Sequence, residues 1–101
     1  MVQRASLADI SSLTDRSTVM VRATVRHLQL KRNILGDLWA ALKIHDNGVS
    51  GTVLVFSRTY AGLAREGLIE GALCDLLVEV HFGQDGKPKM RLDSWSIATD
   101  A

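Results

Sequence analysis

From Thr18 onward the chain alternates apolar and polar residues, and this two-residue period constrains the fold more than any other feature. Val19, Val21, Ala23 and Val25 fall on one face of a first strand; Met20, Arg22, Thr24 and Arg26 fall on the other. Neighbouring side chains of a strand point to opposite faces, so one side is apolar and the other wet and basic. A second strand repeats the pattern, with Leu38, Ala40, Leu42 and Ile44 inward and Trp39, Ala41, Lys43 and His45 outward. Thr52 to Phe56 forms a third strand. Leu73 to Phe82 forms a fourth that buries Cys74, Leu76, Val78, Val80 and Phe82, and Lys89 to Ile97 forms the last. An all-β sandwich would want more strands than 101 residues supply in this pattern. A closed barrel remains.

The connections are readable as well. Ser6 can cap a short helix or turn in which Leu7, Ile10 and Leu13 recur three apart, with Asp9 completing a capping-box-like pair. Those apolar residues would close one barrel end. Lys31 to Asp37 reads as the first loop, basic at its start. Asp46-Asn47-Gly48 is a hairpin signal, since Asn and Gly accept positive φ at little cost. Gly51 would then mark a shifted turn or a bulge. Ser57 caps a helix in which Tyr60, Leu63, Ala64 and Leu68 recur, with Gly67 near its end. Phe56 and Tyr60 are expected to anchor that helix to the barrel. Gly83 to Pro88 is a plain loop.

The stretch Gly36-Asp37-Leu38-Trp39-Ala40, followed by Leu42, Ile44 and Asp46, then Thr52-Val53-Leu54-Val55-Phe56 and Tyr60, carries a family likeness. It resembles the OB-fold domain of bacterial replicative DNA polymerase III alpha subunits, and the likeness covers about four fifths of the chain. The resemblance implies an all-β domain with one short helix: a five-stranded Greek-key barrel, helix between strands three and four, with the second and third strands and their loops binding oligonucleotides. The expected organisation is a single domain over residues 1–101, with the barrel at about 18–97. The chain departs from the family in having Ala23, Val49 and Val78 where glycines are usual. Ala23 implies a milder bend of the first strand.

Composition narrows the function classes. With 47% apolar residues and a single proline the chain is no disordered segment. No apolar run approaches the roughly 20 residues that span a bilayer, and no membrane partner is expected. Met1 to Ser6 lacks the hydrophobic segment of a signal peptide. Cys74 is the lone cysteine, which excludes an internal disulfide, reads as a small core residue, and fits a cytoplasmic protein. His27, His45 and His81 are dispersed, without metal-ligand spacing, and no phosphate loop or nucleophile elbow occurs. No cofactor and no catalytic activity are expected.

Net charge is only +1, but its distribution is uneven. Arg16, Arg22, Arg26, Lys31 and Arg32 lie between Asp15 and Asp37 with no acid among them, and Lys87, Lys89 and Arg91 precede Asp93. Two readings are open: solvated strand edges, or a groove that tracks phosphates. In the second, Arg22, Arg26, Lys31, Arg32, Lys43, Lys87, Lys89 and Arg91 follow a single-strand backbone while Trp39 stacks a base. Trp39 has its own alternative, packing under the first loop against Ile34 or Leu35. Trp95 reads as core or barrel-end packing. The leading expectation is a module that binds single-stranded DNA, with RNA possible, alongside a polymerase or other replication protein. The competing one is a protein-docking or self-association module, supported by the small net charge, few aromatics and outward Met20, Leu54 and Leu77.

Overall fold

The computed structural model describes residues 3–60 and 70–98. Its strands are β1 (Gln3–Ala5), β2 (Thr18–Arg32), β3 (Leu38–Asp46), β4 (Val49–Val55), β5 (Leu73–Phe82) and β6 (Pro88–Ile97). They hydrogen-bond in the order β1-β2-β3-β4-β6-β5, and β2 also pairs with β5. That last pairing closes β2–β6 into a five-stranded barrel. The β4–β6 contact is parallel, whereas β2–β3, β3–β4, β2–β5 and β5–β6 are antiparallel. This is the OB topology, with one short helix between the third and fourth barrel strands. That helix opens at Ser57 and is described through Tyr60; Leu63, Ala64, Gly67 and Leu68 lie outside the described residues.

The alternation holds for most of the strands, although Leu38 and Phe82 are only half-buried and Ala41, on the outer face, is covered. Val19, Val21, Ala23, Val25, Ala40, Leu42 and Ile44 are buried, as are Val53, Val55, Cys74, Leu76, Val78, Val80 and Leu92. Each large aliphatic side chain buried this way contributes about 1.5–3 kcal/mol. Burial pushes the Cys74 thiol above its ordinary pKa, and the adjacent Asp75 charge adds to this. Trp95 packs part-buried on the same core. Asn47 and Gly48 both take positive φ, 51° and 83°, in the two-residue turn joining β3 to β4.

The 3₁₀ helix Leu7–Ser12 buries Leu7 and Ile10 on the barrel. Ser6 makes no side-chain cap to the backbone; its hydroxyl donates instead to Asp9 Oδ2 at 2.8 Å. The helix explains Gly51, where no bulge exists: β3 and β4 pair without a shift from Ala40↔Val55 to Asp46↔Val49. A Cβ at Gly51 would lie 3.1 Å from Leu7 Cδ1 and from Met90 Cε. Glycine lets the strand pass beneath the 3₁₀ helix. β1, which no periodicity announced, runs parallel to β2 through Gln3↔Val19 to Ala5↔Val21.

Bulges occur elsewhere. In β2 the register jumps from Val25↔Ile44 to His27↔Lys43, leaving Arg26 without a partner on β3. In β6, Leu77↔Ser94 is followed by Val78↔Leu92, leaving Asp93 unpaired on β5. An extra residue bends its strand and reverses which residues face inward beyond it. Val21, Ala23 and Val25 face the core before the β2 bulge; Leu28 does so after it, opposite buried Leu42. β2 therefore turns the barrel corner by a bulge and needs no glycine at Ala23.

Candidate nucleic-acid interface

The β2 bulge decides which cations reach the outer face of β3. Beyond Arg26 the outward pairs are His27↔Lys43, Gln29↔Ala41 and Lys31↔Trp39. The outward row continues into β4 through Lys43↔Thr52 and Ala41↔Leu54, and into β6 through Leu54↔Arg91. The parallel register of Val53↔Met90 and Leu54↔Arg91 sets Lys89 beside Thr52. One surface thus carries Lys31, Trp39, Lys43, Leu54, Lys89 and Arg91.

Lys31 and Arg32 are not in a loop. Both close β2, paired with Trp39 and Leu38, because the strand continues through polar residues that half-buried pairing tolerates. Adjacent residues point to opposite faces, so the two cations separate. Lys31 Nζ sits 5.5 Å from the Trp39 ring centroid, a cation–π distance. Arg32 Nη1 donates to the Gly36 carbonyl at 3.0 Å, bracing the loop of residues 33–37. Asn33 organises that loop, its Oδ1 accepting from the Leu35 and Asp37 amides at 3.0 and 2.9 Å. Ile34 and Leu35 are 100% and 86% exposed, so Trp39 does not pack beneath them.

Trp39 is half-buried on the outer face and lines a recess of about 390 Å³ with Asn33, Leu54, Phe56 and Ser57. Phe56 was expected to anchor the helix; it is 52% exposed. Tyr60 alone of the two packs on the core. A second recess of about 280 Å³, bounded by Leu54, His81, Lys89, Met90 and Arg91, lies on the other side of Phe56. Parity could have exposed Phe56: with Val53 and Val55 inward, Leu54 and Phe56 must face out.

The remaining cations divide by their partners. Arg22 belongs to the half of β2 that pairs with β5, opposite Asp75. Its Nε and Nη2 donate to Asp75 Oδ1 and Oδ2 at 2.9 and 3.1 Å, and Arg4 of β1 stands 3.7 Å from the same carboxylate. The Arg22 hydrogen bond, then the Arg22 and Arg4 charges, hold the Asp75 carboxyl below the usual carboxylate range despite the opposing effect of burial. Arg22 is therefore a structural clamp, off the Trp39 face, and leaves the set of candidate ligand contacts. Arg26 is exposed on the bulge and lines a shallow recess with Lys43 and Thr52. Lys43 Nζ donates to Thr52 Oγ1 at 3.0 Å. Lys87 is exposed in the loop before β6, and Lys89 is exposed on the face itself. Arg91 lies 5.9 Å from the Phe56 ring centroid but is also held by Glu79 at 2.8 Å and Asp93 at 3.5 Å.

Chemically, this surface offers two flat rings over an apolar floor, flanked by flexible ammonium groups. It can stack planar groups and neutralise anions. Among the described residues no group of His, Cys, Asp or Glu is placed to hold a metal ion, and no helix is long and apolar enough to cross a membrane.

No protein-family model matches the sequence, and no curated protein matches it. Solved structures do match in fold. The chain is similar to the mitochondrial single-stranded DNA binding protein Rim1 of S. cerevisiae, with a TM-score of 0.61 at 10% identity, over 87% of this chain and 99% of that one. It is similar to the second OB-fold domain of replication protein A from Methanococcus maripaludis, with a TM-score of 0.61 at 17% identity, over 96% and 98% of the two chains. A murine DNA binding protein bound with double-stranded DNA matches at a TM-score of 0.68 and 14% identity. There the chain covers 98% of its own length and 49% of the other's. At such identities the likeness establishes the OB fold, and it is shared with proteins named for binding DNA.

Proposed function

We propose that this chain is a non-catalytic module that binds single-stranded nucleic acid, DNA in the first place, across the outer face of β2, β3, β4 and β6. The observation that carries the reading is the pairing of Trp39 and Phe56 around one apolar recess, with Lys31 and Lys43 on the same face. A base stacked on such a ring gains about 1–3 kcal/mol whatever its sequence, because every base has a π-face. Lys31, Lys43, Lys89 and Arg26 supply the charge that follows the phosphates, with Lys87 at the edge. RNA would be accepted on the same chemistry. The resemblance to polymerase III alpha subunits and the DNA-binding neighbours support a role in replication, repair or recombination, beside a polymerase or another replication protein; a cytoplasmic location is part of the proposal.

The test is Trp39→Ala. It should cost about 1–3 kcal/mol in affinity for a labelled oligonucleotide and much less in stability. If Trp39 were core, truncation would instead destabilise by about 3–5 kcal/mol, and denaturant melts on the same variant would show it. A second reading, a docking or self-association module, is favoured by the loop tip, where Ile34 and Leu35 stand in solvent. Gel filtration of Ile34→Ser with Leu35→Ser tests its self-association form: a shift from oligomer to monomer supports it, and an unchanged elution volume removes it.

A further inference from the structure

The two aromatic platforms each carry a cation, but only one of those cations is restrained. Lys31 over Trp39 makes no ion pair among the described residues. Arg91 over Phe56 is gripped by Glu79 Oε2 at 2.8 Å and by Asp93 Oδ1 at 3.5 Å. Glu79 is fixed in turn by His81, whose Nε2 lies 2.8 Å from Glu79 Oε1. Asp93 reaches Arg91 from the β6 bulge, two residues along the same strand. Two carboxylates thus hold one guanidinium beside a recess that Leu54, Phe56, His81, Lys89 and Met90 also line. The guanidinium best shaped to bind a phosphate bidentately is therefore occupied in the free protein.

Resting on the single-strand reading above, we propose that Arg91 is a latent phosphate ligand. Glu79 and Asp93 park it against Phe56 in the free protein; a bound strand draws it onto a phosphate as a base takes its place on the ring. The two acids thereby lower the affinity of the face for a strand. The exchange is a swap of ion-pair partners, so its cost is the carboxylate contacts given up.

The experiment is a salt-dependent titration of labelled oligo(dT) with wild type, with Glu79→Gln/Asp93→Asn, and with that double variant carrying Arg91→Met. Freed Arg91 should tighten binding of the double variant about three- to tenfold near 0.1 M salt. The slope of log K against log salt should steepen by about 0.7, one phosphate on a single strand. Arg91→Met should erase both gains. A double variant that binds no better, or a gain that survives Arg91→Met, overturns the proposal while wild-type binding keeps the single-strand reading. No binding by any of the proteins at low salt overturns both. Asp93→Asn alone, at an exposed position, guards against misfolding: it should give a smaller change of the same sign, and no change there counts against the proposal.

Discussion

β2 carries outward arginine and lysine along its whole length, yet its two halves behave differently. From Thr18 to Thr24 it runs beside β5, where Arg22 faces Asp75 and is clamped by paired hydrogen bonds of 2.9 and 3.1 Å. From Thr24 to Arg32 it runs beside β3, whose outward residues are His45, Lys43, Ala41 and Trp39. Nothing anionic answers Lys31 across that ladder. The same alternation therefore yields a structural ion pair in one half and an available cation beside an aromatic ring in the other. On a closed barrel, what a charge does is decided by the strand next to it. Sequence distance is a poor guide to that neighbour, because one long strand serves two partners.

The comparison can be broken most severely at the aromatic end. Trp39→Ala with Phe56→Ala should together remove about 2–4 kcal/mol of oligonucleotide affinity, read by fluorescence titration; retained affinity would mean that neither ring stacks a base. Next in size is a contrast between neighbours. Lys31→Ala should shallow the salt slope by about 0.7, whereas Arg32→Ala should leave it unchanged, because the two side chains leave β2 on opposite faces. Equal effects would show that both act as a flexible basic loop.

Smaller still is Arg22→Ala, which should leave the salt slope alone and lower stability by about 1 kcal/mol in a urea melt, as for a partly exposed ion pair. The smallest effect is one of pH. The folded state holds the Asp75 carboxyl low, through its Arg22 hydrogen bond and the Arg22 and Arg4 charges. A depressed carboxylate stabilises above its unfolded pKa of about 3.9, and that stabilisation is lost as pH falls through the lower folded value. Arg22→Ala should flatten the stability profile below about pH 4; an unchanged profile would assign acid sensitivity to other carboxylates.

Much of the barrel was legible because its inward residues are aliphatic and its outward residues polar. Val19 to Val25, Ala40 to Ile44 and Cys74 to Val80 follow the two-residue period into the core. The β2 bulge was not legible, because Arg26 and His27 are both polar and an extra polar residue leaves no break in an apolar pattern. That silence misplaced Lys31 and Arg32, which read as a loop once the alternation faded. Phe56 was missed for the opposite reason: a large aromatic ahead of a helix reads as an anchor, although the parity of Val53 and Val55 exposes it. Gly51 looked like turn chemistry, yet what crowds it are the side-chain ends of Leu7 and Met90, forty-four and thirty-nine residues away in the chain. β1 has too few residues to show a period. Arg22 could not be sorted from Lys31 without knowing that Asp75 stands opposite.

The central claim is that the β3 side of β2, and not its β5 side, presents a single-strand surface. Its most direct test is a titration of labelled single-stranded and duplex oligonucleotides with the wild-type chain from low to physiological salt. If Lys31, Lys43 and Lys89 each neutralise a phosphate, single strands bind in preference to duplex and log K falls with log salt at a slope of about −2. A folded sample that binds no single strand at low salt would contradict the account.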